Sequence, residues 1–132
     1  DMKSVNITEV VTSLLKEYIQ NSKRASEQLD IRLPHGNIWI LAQEKILIRI
    51  LCNLIDNALK YSTGDIMFYM WGESEYCHIQ ISNPSDYISE GRIKSSGIGL
   101  YDTRKLVIQI SGDIQVNYEA GIFTVSIKLP LI

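Results

Sequence analysis

Apolar residues return along the chain at two different periods, and the switches between them divide it into elements. In "NITEVVTSLLKEYIQNSKRASEQ", Val10, Val11, Leu14, Leu15, Tyr18 and Ile19 fall at helical spacing, which predicts a helix from about Thr8 to about Gln28. "DIRL" and "NIWILA" are short runs of β type on either side of the turn signal "PHG" and predict a small hairpin. A second long helix is predicted from about Gln43 to about Tyr61, stopped by "STGD". "DIMFYMW" and "YCHIQIS" flank the turn-rich "GESE" and predict two adjacent antiparallel strands. Pro84 lacks a donor and restricts Asn83 before it, so the strand pattern is expected to break there. The stretch from Asn83 to Ser96 then reads as the longest loop. A helix from about Ile98 to about Ile110, a stop at Ser111-Gly112, and a hairpin of "DIQVNYE" and "IFTVSIKL" around Ala120-Gly121 complete the order. Strands gathered into hairpins, instead of alternating with helices, predict an α+β fold: a mixed, mostly antiparallel sheet with helices packed on one face.

A length of 132 residues suits a single domain, 1–132, around one core. The net charge of −2 comes from 13 basic and 15 acidic residues scattered along the chain with no basic stripe, which argues against nucleic acid or an anionic membrane as a partner. No apolar run approaches the roughly 20 residues that span a bilayer, and "DMKSVNITEV" has no signal-peptide pattern, so a soluble, cytoplasmic domain is expected. Cys52 and Cys77 fall in apolar helical and strand patterns without a CxxC pair and read as buried free thiols of a reducing compartment. His35, in the turn, and His78, alone in a strand, lack metal-ligand spacing, which argues against zinc and a Ser/His/Asp triad.

The candidate chemistry begins in the second helix. Within "QEKILIRILCNLIDNALKYS", otherwise mostly apolar, Arg49, Asn53, Asn57 and Lys60 fall within an arc of roughly 80° at about 100° per residue. One reading is a solvated face with Asp56 and Lys60 as an ordinary i,i+4 ion pair. Yet Asn is a poor helix former, and a merely solvated face is better served by Glu, Lys or Gln. The chemical reading makes an Asn oxygen a hard neutral ligand for Mg²⁺ and the lysine a phosphate contact. Magnesium takes only one or two protein oxygens and completes its shell with phosphates and water, so one helix edge suffices.

The second candidate is Gly97-Ile98-Gly99-Leu100, expected to open the next helix, where unpaired N–H groups and the positive end of the dipole face an anion. A lone GxG is equally a helix entry. Beside the Asn/Lys stripe it supplies the other half of a triphosphate site: an anion cradle facing a metal ligand.

"NLIDNALKYS", followed about forty residues later by "GIGLYDTRKLV", resembles the N-box and second glycine box of the ATP-binding domain of bacterial sensor histidine kinases, members of the gyrase, heat-shock-90, histidine-kinase and MutL superfamily. The likeness extends over nearly the whole chain, including the closing "IKLP". It implies a two-layer α/β sandwich of a mainly antiparallel sheet on three helices, in keeping with the element order. It further implies that Asn57 coordinates Mg²⁺ with support from Asn53, that Lys60 contacts phosphate, and that Tyr61 packs beside the nucleotide. Gly97, Ile98, Gly99 and Leu100 would bring backbone to the phosphates, residues 83–97 would form the ATP lid, and Arg92 or Lys94 on that lid would pair with the terminal phosphate.

The sequence departs from the family at the adenine end. The family's first glycine box is a strand followed by Asp-x-Gly-x-Gly, whereas "IQISNPSD" puts Asn83 at the aspartate and supplies no glycine. The lid's aromatic box is missing, and Ile122-Phe123 stands where many relatives have Gly-Thr. Asn83 still suits a base: its oxygen accepts from the adenine amino group and its amide donates to a ring nitrogen. Loss of charge assistance amounts to roughly 1 kcal/mol or somewhat more, about tenfold in affinity at the upper end, so weakened ATP binding is expected.

These residues imply the catalytic, ATP-binding domain of a two-component sensor histidine kinase. It would bind Mg·ATP and donate the γ-phosphoryl group to a histidine on a separate dimerisation domain, which then serves a response regulator. Asn53 stands where hydrolysing relatives carry a glutamate base, which favours transfer over hydrolysis. Two other readings remain: a degenerate, non-catalytic regulatory domain of a sensor kinase, supported by the missing glycine box, and a serine kinase of the anti-sigma type.

Overall fold

The computed structural model describes residues 1–86 and 100–132 in full and, of 90–99, only the helical backbone. The strands are β1 (Lys3–Asn6), β2 (Leu29–Arg32), β3 (Trp39–Ala42), β4 (Ile66–Glu73), β5 (Tyr76–Pro84), β6 (Asp113–Glu119) and β7 (Ile122–Pro130). The helices are α1 (Ile7–Asn21), α2 (Lys23–Gln28), α3 (Glu44–Tyr61) and α4 (Glu90–Gln109). A five-stranded sheet in the order β2-β4-β5-β7-β6 carries the helices on one face, and β1 and β3 form a separate two-stranded sheet. Only β2 against β4 is parallel within the large sheet, which gives the mixed, mostly antiparallel α+β sandwich that the strand pattern predicts.

The first predicted helix is in fact two. α1 buries Ile7, Val11 and Leu15 at a spacing of four, and Asn6 caps it by accepting from the Glu9 N–H at 3.2 Å. Ser22 then swings to φ −138°, ψ 117°, and its hydroxyl accepts from the Ala25 N–H at 3.1 Å, so this residue ends α1 and starts α2. Serine's competence as a cap outweighs the continuing helical pattern.

The expected hairpin of "DIRL" and "NIWILA" does not form. β2 lies parallel to β4, with Leu29 opposite Ile66, while β3 lies antiparallel to β1, with Asn6 opposite Trp39. The cause is the segment entering β3: the Ile38 N–H donates to Thr8 Oγ1 at 2.9 Å and the Ile38 carbonyl accepts from the Ile7 N–H at 2.9 Å. Those bonds tie it to the start of α1. β1, which carries only Val5 as a buried residue, is too short to show a period in the sequence.

The predicted hairpins β4–β5 and β6–β7 are present in the expected pairing, from Met67 opposite Ser82 to Glu73 opposite Tyr76, and from Asp113 opposite Lys128 to Glu119 opposite Ile122. Ala120 and Gly121 form the second turn with φ of 53° and 79°, the positive pair that matches a two-residue turn to strand twist. Two boundaries shift. β5 continues through Pro84, which is tolerated because it ends the strand, and the backbone is helical from Glu90 instead of about Ile98. The span expected as a lid loop is thus strand at one end and helix at the other. Glycine weakens a helix interior by about 1 kcal/mol without terminating it, as proline would, and no proline interrupts the segment.

One core joins the layers. α3 buries Leu47, Ile50, Leu51, Leu54, Ile55 and Ala58 against the inward rows of β4 (Ile66, Phe68, Met70), β5 (Cys77, Ile79, Ile81) and β7 (Phe123, Val125, Ile127, Leu129). Cys77 is buried, and burial pushes its thiol up to about 12; Cys52 is only half-buried, contrary to expectation.

Candidate functional site

Burying its apolar residues fixes the rotation of α3 and decides where the polar edge goes. Arg49 and Lys60 are exposed, and Asn53 and Asn57 are half-buried. Asn53 meets α4: its Nδ2 donates to Thr103 Oγ1 at 3.3 Å. Thr103 is completely buried in a row with Val107 and Ile110, at i, i+4 and i+7 on the inner face of α4. With the amide nitrogen committed there, the Asn53 oxygen remains as an acceptor. Where the solvated-face reading pairs Asp56 with Lys60, Asp56 is bonded across the helices instead: Tyr18 Oη donates to Asp56 Oδ1 at 2.7 Å. Burial, and then the neighbouring Asp56 carboxylate, hold the Tyr18 phenol well above its usual range. Lys60 instead places Nζ 5.3 Å from the centre of the Tyr61 ring, within cation–π range, at the end of α3.

That end is clamped. The Arg24 guanidinium donates to the carbonyls of Leu59 and Ser62 and, through Nε, to Gln28 Oε1 at 2.7 Å. A cation on the last carbonyls of a helix is also favoured by the dipole. The Thr63 N–H donates to the Pro84 carbonyl at 3.0 Å, which docks the end of α3 beside the end of β5.

Among the described residues the buried polar ones are Ser62, Asn83, Ser85 and Thr103. Ser62 caps α3, Thr103 is bridged to α3 by Asn53, and Asn83 and Ser85 stand at the end of β5. Polar groups withdrawn from water cost free energy unless they are paired, and these four lie at the end of α3 or on and beside elements that pack against it. Asn83 is 3% exposed and prolongs the inward row of Cys77, Ile79 and Ile81, opposite the buried Phe123 of β7. Its Nδ2 donates to the Pro84 carbonyl at 3.1 Å. One of the two amide hydrogens is thus held by the backbone, which fixes the orientation of the side chain and leaves the oxygen as an acceptor.

The stripe of α3 and Asn83 are accordingly found on elements that meet. Leu100, half-buried on α4, packs against the core. Arg92, Lys94, Gly97, Ile98 and Gly99 lie outside the residues whose side chains are described; their helical backbone puts the two glycines within α4 instead of in its first turn. Sequence reasoning missed Arg24, Ser62, Ser85 and Thr103. For Thr103 a signal existed, a hydroxyl in an otherwise apolar i, i+4, i+7 row, and for Ser85 its place two residues beyond Asn83 on one face of an extended chain.

Two grooves lie elsewhere, along α1 and α3. One, of about 520 Å³, is lined by Glu9, Glu17, Glu44 and Trp39 among others, and its neighbour of about 530 Å³ by Tyr18, Cys52 and Leu59. Three carboxylates and no cation line the first, which disfavours a triphosphate there. Among the described residues no group of three or more His, Cys, Asp or Glu side chains is placed to hold a metal, and no helix is long and apolar enough to cross a membrane.

A mixed sheet under helices, with an amide-lined helix edge bridged to the next helix, defines an ATPase fold. Residues 42–132 match the family of histidine kinase-, DNA gyrase B- and HSP90-like ATPases, and the chain belongs to it. Among solved structures it is similar to the histidine kinase AdeS of Acinetobacter baumannii, with a TM-score of 0.78 and 19% identity over 99% of this chain and 68% of that one. The catalytic domain of the histidine kinase ThkA matches with a TM-score of 0.79 and 17% identity over 98% of this chain and 95% of its own. The mycobacterial sensor histidine kinase MprB matches with a TM-score of 0.76 and 17% identity over 99% and 98% respectively. No curated protein matches the chain in sequence.

Proposed function

We propose that this is the catalytic, ATP-binding domain of a sensor histidine kinase, which binds Mg·ATP and donates the γ-phosphoryl group to a histidine on a separate dimerisation domain. The observation that carries the reading is the half-buried amide edge of α3, held by the Asn53–Thr103 bond in a chain of the histidine kinase-like ATPase family. A solvated helix face has no reason to bond an asparagine to a buried threonine of the next helix. The donor set fits the groups it would hold: a neutral Asn57 oxygen for Mg²⁺, supported by Asn53, and Lys60 for phosphate, with Arg92, Lys94 and the backbone from Gly97 to Leu100 added on the family resemblance. Bound Mg²⁺ would neutralise charge on the phosphates. The residues' own work is then positioning and charge compensation, which is most of what phosphoryl transfer requires.

Transfer is favoured over hydrolysis because Asn53 has no basicity with which to activate water. Neither histidine of the chain is a suitable acceptor: His35 is exposed in the loop before β3, and His78 stacks on Trp71 at 5.0 Å, on the sheet face turned away from the helices. The purified chain is expected to bind a non-hydrolysable ATP analogue with Mg²⁺ in titration calorimetry, to show little turnover alone, and to produce acid-labile phosphate on an added dimerisation domain. Asn57→Ala is expected to abolish the magnesium-dependent part of the affinity with the melting temperature preserved; an unchanged affinity would remove the metal assignment. Asn83 in place of an aspartate favours a second reading, a regulatory domain that no longer catalyses. Mg·ATP separates the two, since a ligand that binds only the folded chain raises its melting temperature.

A further inference from the structure

The described residues contain one buried side-chain polar atom without a partner, the hydroxyl oxygen of Ser85. Everything else about Ser85 is tied down. Its N–H donates to the Gly121 carbonyl at 3.0 Å, and its carbonyl accepts from Tyr118 Oη at 3.0 Å. The residue is 3% exposed. A rigidly held hydroxyl, withdrawn from water and unpaired, is a cost to the folded chain that a ligand can relieve.

Its neighbour on the same face is equally specific. A carbonyl oxygen only accepts, so the bond from Asn83 Nδ2 to the Pro84 carbonyl fixes which end of the amide is which. The oxygen is left as an acceptor held in place, and the partner it lacks must be a donor. Side by side at the end of β5 there is thus a fixed acceptor at Asn83 and an unused donor at Ser85, with buried Phe123 as the apolar wall opposite.

On the proposed nucleotide site, where the family resemblance already has the adenine amino group donating to Asn83 Oδ1, we propose that Ser85 is a second reading point, its hydroxyl donating to the ring N1. Adenine offers that donor and acceptor on adjacent atoms of one edge. Guanine offers a carbonyl oxygen opposite Asn83, so two acceptors meet and the base is refused. Ser85 meets a guanine N1–H equally well, because a hydroxyl also accepts. Discrimination between the bases therefore belongs to Asn83, while Ser85 contributes affinity.

The test uses this chain and titration calorimetry with Mg²⁺ and four nucleotides: ATP, GTP, 1-deaza-ATP, in which N1 is a carbon, and purine riboside triphosphate, which lacks the amino group. The unmodified chain is expected to bind 1-deaza-ATP about three- to tenfold more weakly than ATP, the loss of one hydrogen bond, and GTP more weakly still. Ser85→Ala is expected to weaken ATP by the same factor and to leave 1-deaza-ATP where it was. The ligand-free melting temperature of Ser85→Ala should meanwhile rise, because the unpaired hydroxyl is gone. Asn83→Ala is expected to level ATP, GTP and purine riboside triphosphate. Equal affinity of the unmodified chain for ATP and 1-deaza-ATP, or an additive loss in Ser85→Ala, overturns the role of Ser85. Absence of saturable binding by any of the four overturns the nucleotide site itself, and the two failures are distinguishable.

Discussion

Replacing Thr103 by valine separates what the Asn53–Thr103 bond does for folding from what it does for a ligand. The change exchanges a completely buried hydroxyl for a methyl and removes the acceptor 3.3 Å from Asn53 Nδ2. At that length the bond lies beyond the usual N–H···O range, so its net worth is at the low end of about 0.5–1.5 kcal/mol. Asn53 is only half-buried, so water can serve its amide afterwards and no large unsatisfied-donor penalty follows. The added methyl returns up to about 0.8 kcal/mol of apolar burial. For the Asn53 bond those terms nearly cancel, so the Asn53–Thr103 coupling read in urea by a double-mutant cycle of Asn53→Ala and Thr103→Val should be less than about 1 kcal/mol. Binding is different. An amide released from α4 must be ordered again when it supports the metal, at about 0.5–1.5 kcal/mol for one immobilised side chain, or a two- to tenfold loss of affinity. The assay is calorimetric titration of a non-hydrolysable ATP analogue with and without Mg²⁺. The magnesium-dependent affinity should drop by that factor and the magnesium-free affinity should hold. If instead magnesium-dependent affinity is unchanged in Thr103→Val, Thr103 is a packing residue and its bond to Asn53 plays no part at the metal.

Two further predictions concern the scaffold. Gly112→Ala would bring a Cβ to 2.7 Å from Leu129 Cδ2 and 2.9 Å from the Lys128 carbonyl, and backbone cannot yield cheaply, so a loss of about 1–3 kcal/mol in urea denaturation is expected; a cost under 0.5 kcal/mol would show that α4 and β7 can separate there. Because burial pushes the Cys77 thiol from 9.0 up to about 12, the unfolded chain releases its proton first as pH rises: the contribution is complete below about pH 9 and is lost as the pH climbs towards 12. Stability measured across that window should decline less steeply in Cys77→Ala than in the unmodified chain, whatever the variant's own starting stability, and parallel curves would rule the thiol out.

Most of the scaffold was legible because period and burial share one cause. α3 reads as a helix in the sequence for the same reason that it packs: Leu47, Ile50, Leu51, Leu54, Ile55 and Ala58 recur on the side that meets the sheet. The β4–β5 and β6–β7 hairpins were equally plain, since strand alternation and short turns are local. What could not be read was partner choice over long separations. β2 and β3 have ordinary strand composition, and nothing within them announces that one joins β4 in parallel while the other joins β1. That choice is made at Ile38, whose carbonyl accepts from the Ile7 N–H and whose N–H donates to the Thr8 hydroxyl, bonds over some 30 residues that no local pattern announces.

The candidate site divides along the same line. Asn53, Asn57 and Lys60 were visible because asparagine within an apolar helix contradicts propensity, and the contradiction needed a function to resolve it. At the proposed adenine end the letters alone leave the orientation of the amide open. An asparagine there offers both an acceptor and a donor, and only the bond to the Pro84 carbonyl shows which end of the amide the backbone holds. With the nitrogen held there, the Asn83 oxygen is the acceptor that an aspartate would supply, without the charge. The serine two residues on, which the sequence offers as nothing more than a missing glycine, becomes the available donor. A departure from the family's pattern that reads as decay in the sequence is therefore compatible, in the folded chain, with a rebuilt pair. The number of contacts is kept, and the charge assistance of roughly 1 kcal/mol is what is given up.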